Sequence, residues 1–340
     1  MVIKVNGRHK RALITGIAGQ DGSFLAELLV EKGYQILGLL KKGESTSNLA
    51  QIVGAIQLEE TEGIRRDDFI RWISKFSPDE VYNFAGLSFI PDCWDNPNRA
   101  FEVNTLFVAN FLEALKNHAP GARYYQASSS EIFGDPPCTP QDENTQCNPA
   151  NPYGVSKLAS HLLTGMYRHR YGLFAVSGIL YNHESPRRPD HFVTQKIARA
   201  AAEISMGRTE KLRLGNVDAR RDWGFAGDFI RGIWLMLQQN KPLDYILATG
   251  VTHTIKDLLQ IAFSHLGLSW ADWVETDPTL IRPVEVGKLV GNPSRAKEIL
   301  GWEPQVTFQE LVIMMVDAQV QRLRISISPL RDSNRSSTRG

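Results

Sequence analysis

"RALITGIAGQDGSFLAELLVEKGYQILGLL", residues 11–40, decides how this chain is read. RALIT (11–15) and YQILGLL (34–40) are short apolar runs of strand character, and SFLAELLVEKG between them carries apolar residues at helical spacing. The turn from the first strand into the helix holds Gly16, Gly19 and Gly22. Glycines let a backbone turn sharply and approach a pyrophosphate, and a helix N-terminus offers N–H groups and the positive end of its dipole. A glycine triplet alone is weak evidence, since loops are rich in glycine. Placed after a strand and at the opening of a helix, it predicts a dinucleotide loop.

Working outward, EVYNFAG and ARYYQASS repeat the strand pattern, with a helix through VNTLFVANFLEALKN between them. This alternation predicts an α/β fold of Rossmann type, a doubly wound parallel sheet covered by helices on both faces, with ligands at the carboxyl ends of its strands. After Ile179 the rhythm loosens into loops such as YNHESPRRPDH, which predicts a smaller C-terminal substrate-binding lobe. GDFIRGIWLMLQ and DYILATG read as a helix and strand returning to the sheet. The expected division is a dinucleotide-binding domain over 1–178 with returning segments over about 218–250, a lobe mainly over 179–325, and a Ser/Arg-rich mobile tail over 326–340.

The 340 residues carry 38 Lys plus Arg against 37 Asp plus Glu, so no global field favours nucleic acid or an anionic membrane, and an anionic ligand needs a local cluster. Cys93, Cys138 and Cys147 have no metal-like spacing, and the eight histidines form no H-x-x-x-H pair, so neither a zinc site nor a disulfide framework is expected. Nothing at the N-terminus reads as a signal peptide and no apolar run is long enough to span a bilayer, so the expectation is a soluble, cytoplasmic protein.

Three stretches carry chemistry. YYQASSSEIFG (124–134) follows a strand with three serines and a lone acid, Glu131. NPYGVSK puts Tyr153 and Lys157 on one face of a helix. A phenol ionises near pH ~10, and an adjacent ammonium with a bound cationic nicotinamide would favour the phenolate, so Tyr153 is expected to act as a base near neutral pH. LLKKGESTSN ends the second strand with Lys41 and Lys42, where an NAD site would place an acid on the ribose hydroxyls; this favours NADP.

Together these features resemble the short-chain dehydrogenase/reductase superfamily in its extended, sugar-nucleotide-modifying branch. Within it the chain resembles the GDP-mannose 4,6-dehydratases, through ALITGIAGQDGSFLAELLVEKGY, YQASSSEIFG, PYGVSK, GILYNHESPRR, FVTQKI, GNVDARRDWGFAGDF and IRPVEVGKLVGNPSRAKEILGW. The resemblance covers nearly everything except the tail. It implies a catalytic set of Ser129, Glu131, Tyr153 and Lys157. Tyr153 would take the sugar O4 proton, Ser129 and Lys157 would orient that exchange, and Glu131 would remove the C5 proton and help the C6 hydroxide leave as water. It also implies NADP contacts from Gly16, Gly19, Gln20, Asp21, Gly22, Lys41, Lys42, Glu62, Ala85, His183 and Arg188. GDP-mannose contacts would come from Ser88, Asn182, Glu184, Val193, Lys196, Gly215, Arg221, Arg282 and Glu285, with Arg187 and Arg220 as further cations for a diphosphate. A homo-oligomer, dimer or tetramer, built through the helices before Lys116 and after Tyr153 is implied as well.

The chain departs from the family pattern at several places. Ser129 stands for the usual threonine, Lys41 and Lys42 for arginines that also reach a neighbouring subunit, and ETEGI for the usual GDL, with Glu62 nearest its aspartate. Leu87 and Phe89 replace a usual Gln and a frequent His beside the sugar. Two other readings stay open: a related GDP-sugar dehydratase or reductase acting on another hexose or heptose, and a non-catalytic dinucleotide-binding protein.

Overall fold

The computed structural model describes residues 4–5, 7–61, 65–281 and 289–336, with side chains over 7–61, 65–281 and 289–325. RALIT forms β1 (Arg11–Thr15) and the helical stretch forms α1 (Gln20–Glu31), followed by β2 (Gln35–Lys41) and β3 (Gln57–Thr61). α2 (Arg66–Phe76), β4 (Glu80–Asn83), α3 (Phe107–His118), β5 (Arg123–Ala127), α4 (Pro152–Tyr171) and β6 (Phe174–Leu180) complete the alternation. β7 (Asn182–Glu184), α5 (Val193–Ser205), β8 (Arg220–Phe225), α6 (Ala226–Met236), β9 (Tyr245–Leu247), β10 (Thr252–Thr254), α7 (Ile255–His265) and α8 (Phe308–Ser336) follow.

Seven strands form one parallel sheet in the order β9-β6-β5-β4-β1-β2-β3. Chain order reverses at β1, so the crevice between β1 and β4 is the switch point where such sheets bind ligands. Buried on both faces, the strands need apolar residues on both sides. Leu25, Ala26 and Leu29 of α1 with Phe229, Ile233 and Met236 of α6 cover one face; Phe69 and Trp72 of α2 with Phe111 and Leu115 of α3 cover the other. The returning helix and strand expected near 218–250 are α6 and β9, and Ala296, Leu300 and Trp302, from farther along the chain, also pack in this core.

A row of buried polar side chains crosses the carboxyl ends of the strands. Thr15 Oγ1 donates to Asn83 Oδ1 (2.6 Å), Asn83 Nδ2 donates to Gln126 Oε1 (2.9 Å), and the N–H groups of Phe84 and Ala85 donate to Thr15 Oγ1 (3.1 and 3.0 Å). Buried polar groups are costly unless bonded, so the row fixes the strand ends in register and sets where the loops after β4 and β5 begin.

A second, three-stranded sheet, in the order β10-β8-β7, stands beside the switch point. Asp222 of β8, almost fully buried, accepts from Thr249 N and Oγ1 (2.9 and 2.6 Å) and Gly250 N (3.0 Å), which pins this sheet to the end of β9. A separate core of Ile197, Ala201, Trp223, Leu259, Phe263, Val312 and Val316 holds α5, α7 and α8 together. The tail expected from residue 326 is helical backbone as far as Ser336. Once a helix is nucleated by packing, each added residue brings a hydrogen bond at small entropic cost.

Candidate active site

The glycine loop is built as its residues require. Gly16 has φ +63°, and a Cβ there would lie 3.2 Å from the Ala85 nitrogen; at Gly22 a Cβ would lie 2.3 Å from the Gly16 carbonyl oxygen. Only glycine allows both approaches. The first intrahelical bond of α1 runs from Ser23 N to the Gly19 oxygen (3.1 Å), so the N–H groups of Gln20, Asp21 and Gly22 have no acceptor inside the helix. This cradle fits a dinucleotide pyrophosphate. Exposed Lys41 and Lys42 stand at the end of β2. Glu44 is there too, its carboxylate accepting from the Lys41 N–H at 3.0 Å.

The side chains of Gln20 and Asp21 bond to the second sheet and its flank, leaving their backbone N–H groups for the cradle. Gln20 Nε2 donates to the His183 carbonyl (3.0 Å) and Gln20 Oε1 accepts from Ser185 Oγ (2.7 Å). Asp21 Oδ2 lies 2.9 Å from His183 Nε2, while His183 Nδ1 lies 2.8 Å from the Tyr181 carbonyl. An acceptor at each ring nitrogen favours the imidazolium form of His183 facing the Asp21 carboxylate. Burial pulls the His183 pKa down, but Asp21 outweighs it and the net shift is upward. Burial pushes Asp21 up, and His183 reverses that. Ala85 offers its N–H to Thr15 rather than to a ligand.

Ser129 extends from the end of β5 and caps a short 3-10 turn, its Oγ accepting from the Glu131 N–H at 3.2 Å. α4 begins with Asn151 as N-cap and Pro152 in its first turn, which suits a residue lacking an N–H. Asn151 Oδ1 accepts from Gly154 N (2.8 Å), and its Nδ2 donates to Glu131 Oε2 (2.9 Å). The same amide thus starts the helix that carries Tyr153 and orients the acid. Sequence reasoning missed Asn151; the available signal was an Asn directly before Pro at a helix start, which announces a cap but not a second partner.

Tyr153 and Lys157 are buried one turn apart. Lys157 Nζ donates to the Ala127 carbonyl at 2.8 Å and lies 5.8 Å from the Tyr153 ring centroid. Burial draws the Lys157 pKa down to about 8. Burial pushes the Tyr153 phenol up to about 12; the Ser129 hydroxyl opposes this and the Glu131 charge adds to it. The phenolate expected beside the ammonium requires the bound cationic nicotinamide as well; in the protein by itself the phenol is raised. Desolvation of the charged form exceeds what the Ser129 hydroxyl and the Arg188 charge return.

Among the residues expected to hold the nucleotide, Asn182 and Glu184 lie on β7 and Val193 begins α5. Glu184 is buried, accepting from Thr194 Oγ1 (2.6 Å) and lying 3.1 Å from Arg188 Nε, so it supports Arg188 rather than presenting a free carboxylate. Lys196 donates to the Arg213 carbonyl (3.0 Å), near Gly215, where a Cβ would lie 2.5 Å from the Leu280 oxygen. Arg221 projects from the start of β8, its Nη1 donating to the Arg220 carbonyl at 2.7 Å. Ser88 is exposed between Leu87 and Phe89. Arg187 and Arg220 are committed elsewhere: Arg187 binds Glu27 (2.6 Å) and Ser23 (3.0 Å) on α1, and Arg220 binds Thr252 (3.2 Å). Glu62, Arg282 and Glu285 lie outside the described residues.

Glycine cradle, Tyr-x-x-x-Lys helix and a carboxylate beside the tyrosine thus converge at the carboxyl end of the sheet. A family model described as GDP-mannose 4,6 dehydratase matches residues 13–315. The chain belongs to that family. It is 46% identical over 327 residues to GDP-mannose 4,6 dehydratase 2 of Arabidopsis thaliana, covering 92% of this chain and 87% of that protein. To the human GDP-mannose 4,6 dehydratase it is 37% identical over 342 residues, 92% of each chain. In fold it is similar to the UDP-glucose 4-epimerase of Thermotoga maritima, with a TM-score of 0.83 at 22% identity over 92% of this chain and 99% of that one. Among the described residues, no helix is long and apolar enough to cross a membrane.

Proposed function

We propose that this dehydratase-family chain converts GDP-mannose to GDP-4-keto-6-deoxymannose and water, with NADP held in the glycine cradle. The observation that carries the reading is Glu131, fixed by Asn151 next to the Ser129–Tyr153 pair. A carboxylate in that place suits an elimination, beyond the oxidation that tyrosine and lysine alone support.

The first-turn N–H groups of α1 would hold the pyrophosphate, and Lys41 and Lys42 would hold a 2'-phosphate. Glu44 opposes a phosphate at that strand end, which makes cofactor choice a direct test. When bound, the dinucleotide would supply hydride chemistry between C4 and C6 of the sugar. Ser129 has one O–H to donate, to the phenol or to the sugar O4. Tyr153 takes the O4 proton; the resting phenol is brought toward phenolate as positive charge gathers beside it. Lys157, with one N–H on Ala127 and two remaining, orients hydroxyls from below. With a ketone at C4 the C5 hydrogen is acidic, and Glu131 removes it. The C6–O bond then breaks, and the proton on Glu131 leaves with the hydroxide as water. C5 takes up a proton as hydride is returned at C6, which closes the count with the one Tyr153 accepted from O4. Arg221 and Lys196 would serve as cations for the diphosphate.

Incubation with GDP-mannose and catalytic NADP+ tests this directly. Loss of one water from the sugar nucleotide by mass spectrometry, without net NADPH, is the expected result; intact GDP-mannose on enzyme with bound cofactor overturns it.

A homo-oligomer is part of the same reading. Leu162 (55% exposed) and Met166 (63% exposed) on α4 present apolar surface beside α3, where helices of a second copy would pack. Sedimentation showing only monomer would reject this.

A further inference from the structure

Leu87 and Phe89 leave the carboxyl end of β4, next to the strand that delivers Ser129 and Glu131. Leu87 packs with Cys93 and Ala100 against Tyr153. Its backbone is already committed: its N–H donates to Asn104 Oδ1 (2.9 Å) and its carbonyl accepts from Asn104 Nδ2 (3.0 Å). Asn104 is in turn anchored to Ser156 Oγ at 3.0 Å. What residue 87 can show a ligand beside Tyr153 is therefore an aliphatic side chain alone.

Phe89 continues the wall toward the lobe. Its ring meets His191 edge-on at 4.4 Å and Phe192 at 5.8 Å, and the His191 and Phe192 rings lie 4.5 Å apart. The Arg188 guanidinium stacks on Phe192 at 3.5 Å. The mouth of the site next to Tyr153 is thus bounded by a leucine and three rings in contact, bridging the sheet and the lobe. Burial and the Arg188 charge draw the His191 pKa down, so its ring is a neutral member of the cluster.

The direction of the sugar follows from the catalytic groups. With O4 at Tyr153 and C5 and C6 toward Glu131 on the β5 side, C3 and C2 extend the opposite way, toward the loop after β4. We propose that Leu87 and the Phe89–His191–Phe192 cluster form the wall facing C3 and C2 of the hexose, so that the enzyme reads the reacting end of the sugar strictly and the hydroxyls at C2 and C3 loosely. This rests on the dehydratase reading above. An apolar wall contacts the C–H faces of a sugar but leaves its hydroxyls unread. Such walls discriminate by about 10²-fold, whereas sites that hydrogen-bond a hydroxyl reject its absence by about 10⁴-fold or more. Ser88, between the two apolar residues, adds a rotatable hydroxyl without a fixed direction.

The test compares kcat/KM for water loss from GDP-mannose, GDP-3-deoxymannose and GDP-glucose, the C2 epimer, on the NADP-loaded enzyme. Calorimetric binding of the same three nucleotides serves as a second readout. Both analogues are expected within about 100-fold of GDP-mannose, and Leu87→Gln, which places an amide against the sugar, should widen the gap by about tenfold or more. Normal turnover of GDP-mannose with both analogues depressed by about 10⁴-fold overturns the wall while leaving the dehydratase reading intact. So does a folded Leu87→Gln or Phe89→Ser enzyme with unchanged ratios in turnover and binding. Failure of GDP-mannose itself to lose water removes the parent reading, and this inference with it.

Discussion

Replacing Asn151 by Asp isolates the contact that orients the proposed base. Aspartate is as good an N-cap as asparagine, so α4 should keep its start and the fold should lose no more than about 0.5 kcal/mol. The amide that donated to Glu131 Oε2 at 2.9 Å becomes a second carboxylate in the same place. Two unit charges held 3–5 Å apart repel by about 3–6 kcal/mol at an effective dielectric constant of about 20. At about 1.4 kcal/mol per pH unit, the pair keeps one proton to a pH about two to four units higher than a lone carboxylate does. The acid limb of the pH–rate profile for water loss should therefore move up by about two units or more, and the rate at neutral pH should fall by up to about twentyfold as the limb is carried toward and past pH ~7. Oxidation at O4, followed as cofactor absorbance in a single turnover, should be much less affected. Asn151→Ala is the control: it loses the cap, about 1 kcal/mol, but adds no charge, so its activity falls without a shifted limb. If the Asn151→Asp profile for water loss superimposes on that of the parent enzyme at equal melting temperature, the link between Asn151 and the base is wrong.

Glu131→Gln should suppress water loss by about 10²- to 10⁴-fold while single-turnover cofactor reduction persists; undiminished dehydration refutes Glu131 as the base. Lys41→Ala with Lys42→Ala should weaken NADP far more than NAD in equilibrium binding, and tighter NAD than NADP binding by the parent enzyme would remove the 2'-phosphate role from this strand end. The Asp21–His183 pair predicts a pH dependence of stability. The His183 pKa is raised above 6.5, so its contribution is present below that value and lost as the pH rises through the folded-state pKa. The Asp21 pKa is lowered below 3.8, so its contribution is present above that value and lost as the pH falls through its folded-state pKa. Melting temperature should fall on the alkaline side in the parent enzyme and less steeply in His183→Gln; parallel curves would show that the pair carries no linked proton.

Local pattern determined much of this protein. Strand, glycine loop and helix over residues 11–40 depend on near neighbours in the chain, as does the one-turn spacing of Tyr153 and Lys157, and these are legible without knowing the fold. So is the acid after the Ser run, because it directly follows β5. Tertiary structure alone decided the rest. Gln20 and Asp21 lie in the glycine loop, yet their side chains are taken by Ser185 and His183, far along the chain. Arg187 looks like a phosphate ligand until Glu27 and Ser23 are found to hold it. The one-turn spacing places Tyr153 beside Lys157 but says nothing of the enclosing residues, which push the phenol up in the protein by itself, since desolvation depends on everything that packs around a group. Periodicity is a property of a segment, whereas the partner and the dielectric of a side chain belong to the assembled molecule, and only the fold brings those together.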